Sequence, residues 1–193
     1  LREERHAELS GDRAATAAAA KTKQREIAIM SSVDAAIVHS VYEQELLAKL
    51  APNARVYVFP WILYAAGRNA PFLERSGVAF LGGYRHAPNV DAVLYFANQI
   101  WPLIRARRPD MKFIVAGSEC PAEVLALDGR DGIEVVGFVK DLAAFFSAVR
   151  LTVAPIRYGA GIKGKVAMSL AHGVPTVATS CAAEGMGLED GAA

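Results

Sequence analysis

Residues 1–30 are dominated by Ala, Glu, Lys and Arg, and the run Ala17 to Ala20 consists of the best helix former. This predicts helix, interrupted at Ser10-Gly11-Asp12, with Ser10 or Asp12 capping the next segment. The apolar run over 34–39 reads as a short buried strand. Ser40 with Glu43 three residues on spells a capping box that opens a helix over 41–50. Pro52-Asn53 is a turn, and Val56 to Phe59 forms a second strand. Residues 60–76 hold Pro60, Gly67, Asn69, Pro71 and Ser76 and read as a linker. Beyond it, short continuous apolar runs at 78–82, 112–117, 133–137, 151–156 and 175–179 predict strands covered on both faces. Helical stretches at 89–107, 121–127, 141–149 and 164–172 fall between them. Strands alternating with helices imply βαβ units. The expected fold is therefore α/β: a Rossmann-like doubly wound parallel sheet with a partial second domain.

Composition narrows the function. The chain has 193 residues, 53% hydrophobic and 21% charged, which excludes a disordered chain. Twenty-one basic against 20 acidic residues leave a net charge of +1. That balance argues against a nucleic-acid partner. No apolar run approaches the ~18 residues of a membrane span. The charged N-terminus lacks an apolar stretch, so no secretory signal is expected there. Cys120 and Cys181 match no metal spacing and read as reduced thiols, so the expected location is cytoplasmic. The arginines at 105, 107 and 108 sit at a helix end, where cations are favoured. A solvated face is their plain reading, and a peripheral contact at the inner face of a membrane stays open. Starting at Leu1 and stopping after Asp190-Gly-Ala-Ala, the chain reads as a piece of a longer protein.

Ligands of an open parallel sheet bind outside the carboxyl ends of its strands. Two such ends are glycine-rich. One is Gly82-Gly83-Tyr84-Arg85-His86, where glycines let backbone amides approach a phosphate; the alternative is a plain tight turn. The other runs from Ala154 to Lys165 and brings Arg157, Tyr158, Gly159, Gly161, Lys163, Gly164 and Lys165 to a helix start. Cations there oppose the macrodipole, a cost that a bound anion would offset; the alternative is a solvated basic turn. Gly173 and Pro175 close that helix. Gly159, Gly164 and Lys165 have P-loop spacing, but Val166 stands where a magnesium-binding hydroxyl belongs, which argues against P-loop hydrolysis. Glu184 comes after the last strand, either as a ribose contact or as an exposed loop carboxylate.

The stretches Gly159-Ala-Gly-Ile-Lys-Gly-Lys165, Ser169 to Thr179 (Ser-Leu-Ala-His-Gly-Val-Pro-Thr-Val-Ala-Thr) and Ala183-Glu-Gly185 resemble the carboxyl-terminal domain of the GT-B glycosyltransferases of the group 1, GT4-like type. Gly82-Gly83, Ala116-Gly117 and Val136-Gly137-Phe138-Val139 before Asp141 fall in the matching order. Asp34 to Ser40 and Val56 to Pro60 resemble the end of the amino-terminal domain. The resemblance implies an incomplete acceptor domain at 1–60, a linker at 61–76 and a donor-binding domain at 77–193. It implies retaining, hexosyltransferase-type transfer from a nucleotide-diphospho-sugar without metal or other cofactor. The acceptor is an unknown glycan, lipid or small molecule, and the isolated fragment is expected to be inactive. Donor-binding residues carried over are Gly82, Gly83, Arg85, Tyr158, Gly159, Gly161, Lys163, Lys165 and Glu184; no catalytic residue is assigned. Ala160 and Met168 stand where the family often has glutamates, and Asn89 lies near its usual lysine. A non-catalytic nucleotide-binding or assembly module of the same fold, or a nucleotide-sugar epimerase, are the alternatives. Trp61 and Trp101 are expected to pack, His172 to end a helix, and His39 and His86 to lie at strand ends.

Overall fold

The structure, a computed structural model, describes residues 1–67 and 70–191. Asn69, one of the linker's expected turn residues, lies outside the described residues. The chain divides into two compact units. Among the described residues, the first comprises Leu1–Ile62, Tyr158–Lys163 and 180–191; the second comprises Leu63–Arg157 and Gly164–Thr179.

In the first unit, α1 (Arg2–Ser10) and α2 (Arg13–Ser32) flank the interruption expected from the sequence. Asp12 is the cap, its Oδ1 accepting the Ala14 N–H at 2.8 Å. Ser40 caps α3 (Val41–Leu50), its Oγ accepting the Glu43 N–H at 3.2 Å. The reciprocal bond of the capping box shifts by one residue: Glu43 accepts from the His39 N–H at 3.3 Å and from the Ser40 hydroxyl at 2.9 Å. Strands β1 (Ala36–Val38) and β2 (Val56–Val58) pair in parallel, Ala36 opposite Val56. The strand expected to be buried has one wet face: Val38 is buried, but Ile37 is 68% exposed. Trp61 is also half exposed rather than packed.

In the second unit, the linker ends sooner than expected. A 3-10 turn at Phe72–Glu74 comes directly after Pro71, and Ser76 already opens β3 (Ser76–Leu81). The remaining strands are β4 (Phe113–Ala116), β5 (Ile133–Gly137), β6 (Val149–Ala154) and β7 (Thr176–Ala178). All pair in parallel, in the order β5-β4-β3-β6-β7. The chain therefore winds outward from β3 to β5, then crosses to β6 and winds the other way. This is the expected doubly wound sheet, and its switch point lies beside β3. Ala79, Phe80, Phe113, Val115 and Val149 are fully buried, as strands covered on both faces require. The edge strands β5 and β7 lack a neighbour on one side and depart from that expectation, with Val136 43% and Val177 66% exposed.

Helices α4 (Ala87–Tyr95), α5 (Trp101–Arg107), α6 (Ala122–Leu125), α7 (Leu142–Ala148) and α8 (Gly164–Ala171) supply the connections. The single helix expected over 89–107 is two, joined by a π turn at Phe96–Ile100. Pro102 is the cause: it has no N–H to give, and its ring would meet the carbonyl four residues back. The Trp101 N–H accordingly donates to Phe96 O, five residues back. Trp101 itself is buried as expected, packed at a tilt against Phe96 and Phe113, with Nε1 donating to Asp131 O at 2.9 Å. At the end of α8, Gly173 takes φ +64 and the Val174 N–H returns to Ser169 O at 3.0 Å. This is the glycine-closed helix end expected from the sequence. His172, next to that glycine, stacks on Phe146 at 4.7 Å between ring centroids.

Candidate functional site

A cleft of about 380 Å³ opens in the second unit at the carboxyl ends of β3, β4 and β5. Gly82 and Gly83 line it beyond β3, Gly117 and Ser118 beyond β4, and Phe138 and Val139 beyond β5. His86 and Asn89 reach it from α4, and Gly164, Lys165 and Met168 from α8. Two glycines are sterically required. A Cβ on Gly117, at φ +151, would stand 1.6 Å from the Gly82 carbonyl oxygen. A Cβ on Gly82 would stand 2.9 Å from Phe80 Cε1 and 3.0 Å from the Asn89 amide. The two strand-end loops therefore meet backbone to backbone, which only glycine permits.

Lys165 brings a cation to this cleft. Its Nζ donates to Asn89 Oδ1 at 2.8 Å and lies 5.5 Å from the Phe80 ring centroid. Asn89 Nδ2 in turn donates to Gly83 O at 2.7 Å. Lys165 sits in the first turn of α8, where backbone N–H groups lack intrahelical partners and the dipole is positive. An ammonium group, helix-start amides and glycine backbone around one cleft form an arrangement suited to an anion. The Val166 side chain is buried, so the position after Lys165 turns into the packing and offers no hydroxyl. Met168 lines the cleft with a thioether.

The other residues singled out in the sequence fall in several places. Arg85 is largely exposed and donates from Nε to Glu119 Oε2 at 2.6 Å. Arg157 pairs with Asp91 and lies over the Tyr95 ring at 4.7 Å. Gly82, Gly83 and Lys165 share the cleft. Tyr158, Gly159, Gly161, Lys163 and Glu184 belong to the first unit.

There, Glu184 stands just past α9 (Ser180–Ala183) and takes a two-pronged ion pair from Arg5, Nη2 to Oε1 at 2.6 Å and Nη1 to Oε2 at 2.9 Å. Arg5 Nη1 also donates to Gly159 O at 2.9 Å. Burial pushes the Glu184 carboxyl up, but the Arg5 hydrogen bonds and charge outweigh it and hold it below the usual range. The Lys163 ammonium is buried and donates to Gly161 O at 2.8 Å. Burial pulls it below the ordinary lysine range. Tyr158 packs on His6, with ring centroids 4.6 Å apart. His39 is tied to Phe59 O at 2.9 Å.

Both cysteine thiols are free. Among the described residues, no three His, Cys, Asp or Glu side chains gather as metal ligands. No helix among them is long and apolar enough to cross a membrane. Sequence reasoning did not find Arg5, which is 179 residues from its partner, or the bridging role of Asn89. A polar residue three positions into a helix that comes after a glycine loop was the available signal for the second; the first had none.

The family model described as Glycosyl transferases group 1 matches residues 75–192. A curated protein of Klebsiella pneumoniae, described as an uncharacterized 44.6 kDa protein in the cps region, is 24% identical over 127 residues. That alignment covers 62% of this chain and 33% of the relative. The crystal structure of TarM is similar with a TM-score of 0.68 at 13% identity, over 82% of this chain and 32% of that one. A mutant TarM of S. aureus in complex with Fondaparinux, alpha-GlcNAc-glycerol and UDP is similar with a TM-score of 0.65 at 13% identity, over 83% and 32%. The chain thus spans about a third of the length of the proteins it resembles. The likeness to TarM is one of fold, the GT-B architecture expected from the sequence.

Proposed function

The chain belongs to the group 1 glycosyl transferases, and on that premise we propose that its glycine-lined cleft receives the diphosphate of a nucleotide-sugar donor. The observation that supports this reading most is Lys165 Nζ in the same cleft as Gly82 and Gly83, at the start of α8. The presence of UDP in the S. aureus TarM complex supports a nucleoside diphosphate as the leaving group. The sugar passes to an acceptor, a glycan, lipid or small molecule, bound by the whole protein, of which this chain is about a third by comparison with its relatives.

Breaking the bond between the anomeric carbon and the diphosphate oxygen loads negative charge onto the leaving group. A donor aimed at that oxygen stabilises the transition state more than the ground state. Lys165 and the first N–H groups of α8 supply positive charge and dipole on the same side of the cleft. We read the transfer as metal-independent and retaining. In the full-length protein, Lys165→Ala should raise the barrier by about 2–4 kcal/mol, read as kcat/KM for the nucleotide sugar. Chelation with EDTA should leave turnover unchanged, and NMR of the product should show the donor's anomeric configuration. Wild-type turnover by the Lys165→Ala protein would overturn the reading. Met168, which offers the cleft no oxygen acceptor, favours a second reading: a nucleotide-binding module without catalysis. Detectable turnover of any sugar nucleotide excludes it.

A further inference from the structure

We propose that Asn89 is a positioning residue that fixes Lys165 for an anion while leaving its charge intact; this rests on the reading of the cleft as a diphosphate site. Asn89 is 6% exposed and stands at the third position of α4, after Pro88. Its amide orientation is dictated by its neighbours. An ammonium group can only donate, so Oδ1 faces Lys165; a carbonyl can only accept, so Nδ2 faces Gly83 O. One buried side chain thereby joins the glycine loop beyond β3 to the lysine of α8. The surroundings of Gly82 show how tightly it is set, since a Cβ there would touch the same amide.

The chemistry of the holder matters. A lysine side chain has four rotatable bonds, and an unheld ammonium spreads over many positions. A carboxylate at position 89 would hold it equally well but would cancel its charge toward the ligand. An asparagine does the first without the second. The bridge therefore discriminates between an anion and a neutral ligand: it prepares the cleft for phosphate and does nothing for a nucleoside alone.

The test uses the full-length protein with inorganic pyrophosphate, then UDP, GDP, ADP and dTDP, and uridine, by calorimetry at fixed ionic strength. Asn89→Asp, nearly isosteric, should weaken pyrophosphate and the preferred nucleoside diphosphate about tenfold or more, since it sets a negative charge against them. Asn89→Ala should weaken both about fivefold, the loss of a charge-assisted hydrogen bond that holds the lysine. In a Lys165→Ala background, Asn89→Ala should change affinity less than twofold, because its effect runs through the lysine. Melting temperatures identify a variant that has lost its fold, and Asn89→Asp carries the test if Asn89→Ala does so. Wild-type pyrophosphate affinity in Asn89→Asp, or an undiminished Asn89→Ala effect without Lys165, overturns the proposal. Unchanged affinity in Asn89→Asp with intact nucleoside diphosphate binding overturns it while leaving the donor reading standing. Pyrophosphate binding that depends on Asn89, with no nucleoside diphosphate bound, supports it and sinks the donor reading. A wild-type protein that binds neither sinks both.

Discussion

Replacing Gly117 by alanine probes the cleft at its tightest point. The new methyl would lie 1.6 Å from the Gly82 carbonyl oxygen and 2.8 Å from its carbon. Both atoms are backbone, so no side chain can rotate away. Relief requires the loops beyond β3 and β4 to part by about an ångström or more. That movement strains the Gly82 N–H bond to Ala116 O and the Tyr84 N–H bond to Ser118 O, each 3.0 Å long. Losing one such bond costs about 1 kcal/mol, and holding a side chain at positive φ costs about 1–2 kcal/mol. Residual crowding adds about 1–3 kcal/mol, which brings the sum to about 3–6 kcal/mol. Gly137→Ala is the matched control. Gly137 is also at positive φ, +66, yet a Cβ there meets nothing within 4 Å. Its cost should be the conformational one alone, about 1–2 kcal/mol. Urea unfolding of both variants measures the difference, and nucleoside diphosphate affinity should fall in Gly117→Ala. A Gly117→Ala protein as stable as Gly137→Ala would show that the loops do not meet as described.

Three further substitutions have expected outcomes. Arg5→Ala strands the mostly buried Glu184 carboxylate and should cost about 2 kcal/mol at neutral pH. Because Arg5 holds Glu184 below its ordinary value of 4.5, the pair's contribution is complete above that pH. It fades as pH falls through the lowered folded value, so urea midpoints of wild type and variant should converge in acid. Ser169→Ala removes a fully buried hydroxyl that donates to Val174 O at 3.0 Å and meets Thr152 Oγ1 at 2.6 Å; a thermal melt should show a loss of about 1–2 kcal/mol. Trp101→Phe deletes the bond to Asp131 O and leaves a void beside Phe96 and Phe113. It should destabilise by about 2–3 kcal/mol in the same assay.

The features legible in the sequence are those decided locally. Asp12, the Ser40–Glu43 pair and Gly173 act on groups close to their own positions in the chain, so spacing alone located the helix ends they form. The five strands of the sheet were legible as short, mostly apolar runs, which are longest in the central strands β3 and β4, where both faces are buried. At the edges, Glu134 in β5 and Thr176 in β7 break the run, and Val136 and Val177 are 43% and 66% exposed. The π turn was not, because the apolar pattern crosses it unbroken; Pro102 was visible, but a proline inside a helical pattern signals a defect without naming its form. The candidate site divides along the same line. Gly82, Gly83 and Lys165 announce themselves as glycine and lysine at strand ends, and they do meet in one cleft. Asn89 and Lys165 lie 76 residues apart, and Arg5 and Glu184 lie 179 apart. Nothing in a single chain marks such partners until the fold closes the loop between them. The consequence is specific. Glu184 reads from the sequence as a lone carboxylate open to a ribose, yet its two oxygens are each engaged by Arg5. A ribose contact there would have to compete with a two-pronged, partly buried ion pair, which is among the stronger polar contacts a side chain makes. The carboxylate beyond β7 is therefore a poor place to look for a ribose contact. Asn89, a neutral amide, accepts from Lys165 without setting a charge of its own against an anion.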